Sequence, residues 1–486
     1  MWKKILTPIV ATAVLMLSGC EDSGPEPLVM HCAAGMKKPV SAIAGQYEKE
    51  YGVQVQLQFG GSGTLLTSLE IAKGDIYLAG DSSYTNIAKE KGLLAETMPV
   101  ALMRAGFGVP KGNPKGISKL SDIQNPDLKI GIGNPNAASV GKFTKKILTK
   151  HNLWEGFEPT VLFPTVNELA NATKLGTVDA VILWDAVASQ YPELDFVSVP
   201  EFDAEKKDIT VGILKASTQA TEALKFCRYL TAADRGLEVF KADGYEPVKG
   251  DKWVESPELV LFSGSMLRPA IQDTIERFEE REGVRINTVF NGCGILVSQM
   301  KAGENPDAYF SCDQSFMDMV SDRFTLPSTV SANEMVILVK KGNPKGVTTL
   351  PDLKKEGLKV GFSHPEKSAL GALTKRMLEG EGIYQAILDT GNVMPGSATG
   401  DFLVNQIRSN SLDAVIVYKS NALSNDSTVA ECDLIEIGKP AAIATQPYAV
   451  GQNSEFPNLM NRFFEACVSE EGKSAFLQYG FRWELK

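Results

Sequence analysis

One pattern is written twice in this chain, and no other feature of its 486 residues constrains the fold as much. Phe59-Gly60-Gly61-Ser62-Gly63-Thr64-Leu65-Leu66 follows the β-like run Val53-Gln54-Val55-Gln56-Leu57-Gln58. Phe290-Asn291-Gly292-Cys293-Gly294-Ile295-Leu296 follows Val284-Arg285-Ile286-Asn287-Thr288-Val289, 231 positions later (59 to 290). Lys-Gly-Asn-Pro-Lys-Gly occurs identically at 111–116 and 341–346, 230 apart, and Val178-Asp179-Ala180-Val181-Ile182 returns as Leu412-Asp413-Ala414-Val415-Ile416, 234 apart (179 to 413). The period is far longer than a solenoid unit, so each copy is expected to be a whole domain. This divides the chain into a leader over 1–20, a tether over 21–27, a domain over 28–253, a linker at 254–257 and a second domain over 258–486.

Within each copy, short apolar runs alternate with helical spacing. In the first, 29–32 reads as a strand, and Val40, Ile43, Ala44 and Tyr47 then recur at helical intervals. A strand starts near Val53, 75–79 is a short strand, 118–123 starts a helix, 128–132 is a strand and 143–149 a helix. Such alternation predicts an α/β fold with parallel sheets covered on both faces. In these folds ligands bind at the carboxyl ends of strands, where strand order switches. The repeated glycine turn falls at such an end. A flexible turn that becomes a helix leaves the first N–H groups unpaired, with the positive end of the helix dipole behind them. That is a seat for an oxyanion, although a Gly-Gly-Ser-Gly turn alone is equally ordinary turn chemistry.

The start of the chain reads as an address. Trp2, Lys3 and Lys4 precede a run over 5–17 that is apolar apart from Thr7, Pro8 and Thr12, the pattern of a secretory signal and too short to remain as a membrane span. Leu17-Ser18-Gly19-Cys20 looks like a bacterial lipobox, with Cys20 as the lipidated first residue, and Pro25, Pro27 and Gly24 fit a polar tether. The mature protein is therefore expected outside the cytoplasm, on the periplasmic face, lipid-anchored to a bacterial membrane. A net charge of -10 argues against nucleic acid, which needs a clustered basic face. An anionic ligand would have to be met by dipoles and neutral donors. No nucleophile motif, Walker loop or zinc signature is present, so neither an enzyme, a cofactor nor a metal site is expected.

The order of these elements resembles the periplasmic solute-binding proteins of ABC importers, most closely the molybdate-binding branch. The matching segments are Cys32-Ala33-Ala34-Gly35, 59–65 and Gly74-Asp75-Ile76-Tyr77-Leu78-Ala79-Gly80-Asp81 in the first copy. In the second they are Ser263-Gly264-Ser265-Met266, 290–296 and Pro306-Asp307-Ala308-Tyr309-Phe310-Ser311-Cys312-Asp313. The similarity continues through 179–184 and 413–418 and closes on helices ending in Tyr245 and Phe481. The resemblance implies two tandem type II binding domains, each of two α/β lobes that close on a ligand in the cleft between them.

Carried over residue by residue, it places ligand contacts at Ala34 and Gly35, at Gly61, Ser62 and Gly63, and at Val140, Val166 and Trp184. In the second copy the set is Ser265, Met266, Gly292, Cys293, Gly294, Leu370, Gly400 and Tyr418. The family's first-turn serine aligns with Gly35 and Met266, with Ser265 one position away; its second-turn serine is Ser62 in one copy and Cys293 in the other; its tyrosine is Trp184 in one and Tyr418 in the other. Each half thus lacks part of the family's set. The implied function is capture of a small oxyanion, molybdate or tungstate, for an ABC permease. The alternative is a lipoprotein that binds or senses sulfate, phosphate or a soft metal species without feeding a permease.

Other residues have plainer readings. Cys293 and Cys312 are expected to face one cleft and to pair as a disulfide, with a soft-metal site as the rival, and Cys32 to be a buried small residue. His31, His151 and His364 are scattered and read as structural, Asp81 and Asp313 as helix caps, and the Lys-Gly-Asn-Pro-Lys-Gly pair as turns leaving a strand.

Overall fold

A computed structural model describes residues 26–71 and 73–485. The expected leader, Cys20 and all but the last two residues of the tether lie outside the described residues.

The first helix shows how the apolar spacing acts. Val40, Ile43, Ala44 and Tyr47 are all buried on one stripe of the helix Lys37–Tyr51, which ends where Gly52 takes a left-handed φ of 71°. This stripe packs on a six-stranded sheet with three parallel strands along one side: Leu28–Ala33 lies between the edge strand Val55–Gly60 and Ile76–Leu78. Beyond them Lys207–Leu214 and Leu94–Met103 run antiparallel. A second, five-stranded sheet places Ile130–Gly133 in parallel between Val161–Phe163 and Ala180–Trp184, with Ala105–Pro110 and Leu194–Val197 antiparallel beyond.

The parallel-sheet expectation therefore holds for three strands along one side of each sheet only. Two lobes built from one chain need segments that cross from one sheet to the other and return, and these add strands that pair antiparallel with their neighbours. In the second copy the outward crossing is a single strand, Ser328–Lys340, which pairs with Ile443–Val450 at one end and Ala414–Tyr418 at the other, joining both lobes in one ten-stranded sheet. The first copy interrupts the same path at Arg104.

Each half buries its own core. One apolar cluster runs from Leu28 to Trp253, and the main cluster of the second half from Leu259 to Phe481. The halves are tied by polar contacts with defined geometry. Asp251 accepts the N–H groups of Asn458 (2.8 Å) and Leu459 (3.0 Å), so the tail of the first half caps the helix Pro457–Cys467 of the second. Beside it, Arg281 of the second half forks onto Glu96 of the first at 2.7 and 2.9 Å, next to the buried Arg462–Glu282 pair (2.6 and 3.0 Å) that lies within the second half.

Asp251→Ala removes a cap from the helix it serves and is expected to lower unfolding stability by about 1–2 kcal/mol. Urea denaturation checks this; an unchanged midpoint would show that the cap contributes nothing.

Candidate functional site

In the first half the carboxyl ends of Leu28–Ala33 and Val55–Gly60 face the starts of two helices from the other lobe, Ser139–Lys150 and Val166–Lys174. They border about 360 Å³ of space, part of it open to solvent. Ala34, Gly35, Gly61, Ser62, Val140, Val166 and Trp184 line it, together with residues the sequence reading did not place among the ligand contacts, such as Gly80, Ser139, Thr165 and Tyr245. Gly63 does not line it; its N–H donates across the cleft to the Ala137 carbonyl at 2.8 Å. Among the described residues the lining carries no charge.

Three helices begin at this cavity. Ser62–Leu69 and Ser139–Lys150 have no side-chain cap among the described residues. Thr165 caps Val166–Lys174 by accepting only the Glu168 N–H, at 3.3 Å. The first N–H groups of a helix have no partner within it, so their dipoles converge on the cavity. Ser62 adds a directed donor: its Oγ accepts the Gly80 N–H at 2.9 Å, which uses the acceptor side and leaves the hydroxyl hydrogen to donate. Tyr245 supports the wall by donating to the Gly35 carbonyl at 2.8 Å.

The second cleft is smaller, about 240 Å³, and is lined by Ser265, Met266, Gly292, Leu370, Gly400 and Tyr418, with Asn291, Cys312, Ser368, Thr399 and Asn421 added. Its lining too is uncharged among the described residues. Helices Cys293–Lys301, Ala369–Gly380 and Gly400–Arg408 start there without side-chain caps among the described residues. The Tyr418 hydroxyl is buried and has no partner among the described residues. Burial pushes this phenol well above its ordinary range, so it stays protonated and is a donor. Cys293 and Gly294 are named by the resemblance but do not line the space. Cys293 is fully buried with its sulfur against Cys312, and a Cβ at Gly294 would lie 2.1 Å from the Glu366 carbonyl.

The family described as bacterial extracellular solute-binding protein matches residues 28–246 and again 259–482. The chain belongs to this family. It is a solute-binding protein with two tandem domains, and its family is one of binding proteins rather than enzymes. A binding protein of Haemophilus influenzae is 28% identical over 232 residues, covering 46% of this chain and 91% of that protein. The molybdate-binding protein ModA of Mycobacterium tuberculosis is 28% identical over 229 residues (46% and 84%), and ModA of Escherichia coli 25% identical over 233 residues (45% and 88%). Each of these relatives thus corresponds in length to one half of this solute-binding chain. Among solved structures, the Azotobacter vinelandii periplasmic molybdate-binding protein aligns at 17% identity over 46% of this chain and all of its own, with a TM-score of 0.39, too low to carry weight.

The geometry changes the meaning of the glycine turns in this solute-binding protein. The sequence suggests flexibility, but Gly61 and Gly292 hold φ of -69° and -64°, open to any residue. What they supply is space. A Cβ on Gly61 would lie 2.4 Å from the Pro164 carbonyl and 2.5 Å from that of Ala137; on Gly292, 2.4 Å from Lys367 and 2.6 Å from Ala398. The lobes meet backbone to backbone in both copies, and only glycine permits it.

The remaining sequence readings resolve simply. Asp81 and Asp313 cap helices by accepting the N–H of Ser83 (2.8 Å) and Ser315 (3.1 Å). Asn113 and Asn343, at φ of 45° and 46°, bond the N–H of Ile117 and Val347, so the Lys-Gly-Asn-Pro-Lys-Gly segments are turns. His31 is buried against the Lys73 carbonyl and His364 accepts the Glu366 N–H, far apart in the chain's two halves. Cys32 is a buried thiol whose pKa burial raises. Cys293 and Cys312 come together as expected but as free thiols, 2.7 Å apart, without the disulfide bond the sequence reading preferred. Among the described residues no group of three or more His, Cys, Asp or Glu is placed to hold a metal.

Gly61→Ala is expected to pry open the first cleft and leave the second alone. Hydrogen exchange at the Gly63 amide reads it directly, since that N–H bonds across the lobes; unchanged protection would mean the lobes do not depend on this contact.

Proposed function

We propose that each cleft captures a small, fully deprotonated oxyanion, with molybdate or tungstate as the principal ligand, and that the protein delivers it to an ABC permease from a lipid anchor at Cys20. The observation that carries this reading is the convergence of uncapped helix starts and a free Ser62 O–H on a cavity whose described lining is uncharged. Fixed neutral dipoles bind an anion strongly once closure removes water, because a hydrogen bond to a charged group gains in a low dielectric. They also discriminate. A ligand that keeps a proton at neutral pH, as phosphate does, needs an acceptor facing that proton, and among the described residues the lining carries no carboxylate to supply one. Molybdate, tungstate and sulfate carry none. Relatives named as molybdate-binding proteins support the choice within that group.

Calorimetric titration of the mature chain with molybdate, tungstate, sulfate and phosphate tests the reading. Molybdate and tungstate are expected to bind tightly and phosphate weakly or not at all; phosphate binding as tightly as molybdate would contradict it. Ser62→Ala is expected to weaken the first cleft, and Tyr418→Phe the second, each by about tenfold, the value of one hydrogen bond to a charged ligand. Tyr418→Phe should not lower the stability of the empty protein, since it removes a buried hydroxyl that has no partner. A loss of stability without a loss of affinity would take Tyr418 out of the site.

A further inference from the structure

The two halves serve as each other's reference, and at the floor of the cleft they differ in four touching positions at once. Ser62 is replaced by Cys293 and Gly80 by Cys312, so the hydroxyl–amide contact of the first half (Gly80 N–H to Ser62 Oγ, 2.9 Å) becomes a sulfur–amide contact in the second (Cys312 N–H to Cys293 Sγ, 3.1 Å) with the sulfurs 2.7 Å apart. The other two changes make room for this pair. A Cβ on Gly80 would lie 2.4 Å from the Ser139 hydroxyl, so the first half has no space for a cysteine there; the second half has Ala369 in place of Ser139. Ala33 of the first half is Gly264 in the second, where a Cβ would lie 2.1 Å from Cys312 Sγ and 3.2 Å from Cys293 Sγ. Neither cysteine is an incidental small core residue. The surrounding backbone and side chains have been cut back to admit two adjacent sulfurs.

We propose that Cys293 and Cys312 form a thiol–disulfide exchange site, reached through the second cleft, that sets the anion affinity of that cleft and has no counterpart in the first. Cys312 lines the cleft and Cys293 lies behind it. A disulfide donor, either a small dialkyl disulfide or the disulfide of an oxidoreductase, is attacked by the Cys312 sulfur and releases one thiolate. Cys293 then displaces the second from the mixed disulfide. One S–S bond breaks in the donor and one forms between Cys293 and Cys312, the donor gains the two electrons the pair loses, and the two thiol protons leave on the released thiols. Burial alone would raise the Cys293 pKa, but the hydrogen bonds its sulfur accepts from the Cys312 thiol and N–H prevail and hold it below its ordinary value. Burial and its own donated hydrogen bond push Cys312 up. Cys312 lines the second cleft, so closing its bond to Cys293 removes its thiol hydrogen and draws its sulfur toward Cys293. Oxidation therefore alters the lining that a dianion meets in the second cleft, and the affinity there changes with it. This last consequence rests on the oxyanion reading above; the bond formation does not.

The test uses the full mature chain, reduced with dithiothreitol or equilibrated with oxidised glutathione. Peptide mapping is expected to show a Cys293–Cys312 linkage with the loss of two thiols from the native protein, reversed by dithiothreitol and abolished in Cys293→Ser. If that variant does not fold, Cys312→Gly, which restores the residue of the first half, replaces it. Failure to form the linkage, or pairing of other cysteines, would overturn the exchange site. Titration with molybdate is expected to show the affinity of the second cleft differing about tenfold between the reduced and oxidised chains, the value of one hydrogen bond to a charged ligand, while the first is unmoved. A linkage with equal affinity in both forms would overturn the control of affinity. No binding of any oxyanion in either form would overturn the proposed function and leave the linkage result standing.

Discussion

Backbone contact between lobes is the constraint on which the rest of the molecule depends. At Gly61 and again at Gly292, the end of a strand from one lobe meets carbonyls that precede helices of the other, at distances where even a methyl group would not fit. Because the lobes close to that depth, the helix starts beside those carbonyls are brought to the same small volume as the strand ends. Their N–H groups, each weak as a point of charge, then act together on whatever occupies it. The absence of charge from the described lining follows the same logic: a lysine would need room that closure at this depth does not leave, and dipoles need none.

The duplication has kept this frame and varied its contents. Both halves retain the helix starts and the glycines; set against the pattern the resemblance implies, both lack the first-turn serine, at Gly35 and Met266, and each lacks one further donor that the other keeps. The first keeps the second-turn serine and replaces the tyrosine with Trp184, which stacks on Phe143 at 5.8 Å. The second keeps Tyr418 and replaces the serine with a cysteine that has acquired a partner. The halves are held together by Asp251 and Glu96 with their partners rather than by a shared core, which leaves each cleft free to change without unsettling the other.

Much of this was legible in the sequence because it depends on local pattern. The stripe Val40, Ile43, Ala44 and Tyr47 specifies its helix, Asp81 and Asp313 cap where they were expected to, and the repeat fixes the number of domains that the family match supports. Ser62, Val140, Val166, Trp184 and Tyr418 all reach a cleft. What was not legible depends on residues distant in the chain. The need for Gly61 arises from Ala137 and Pro164, and no local pattern reveals it. Asn421 lines the second cleft three residues beyond Tyr418, on the turn of helix that follows the strand, where the family pattern gave no reason to look. The antiparallel crossing strands were missed because alternation of strand and helix is silent about a chain that leaves one sheet and returns to it.

The most direct test of the central claim is to locate a heavy oxyanion by anomalous scattering in crystals grown with tungstate. The account predicts a tungsten peak in the first cleft whose oxygens lie within hydrogen-bond distance of Ser62 Oγ and the N–H groups of Val140 and Val166, with no charged side chain in contact. Tungsten held instead by lysine or arginine side chains outside the clefts, with the clefts empty, would contradict it.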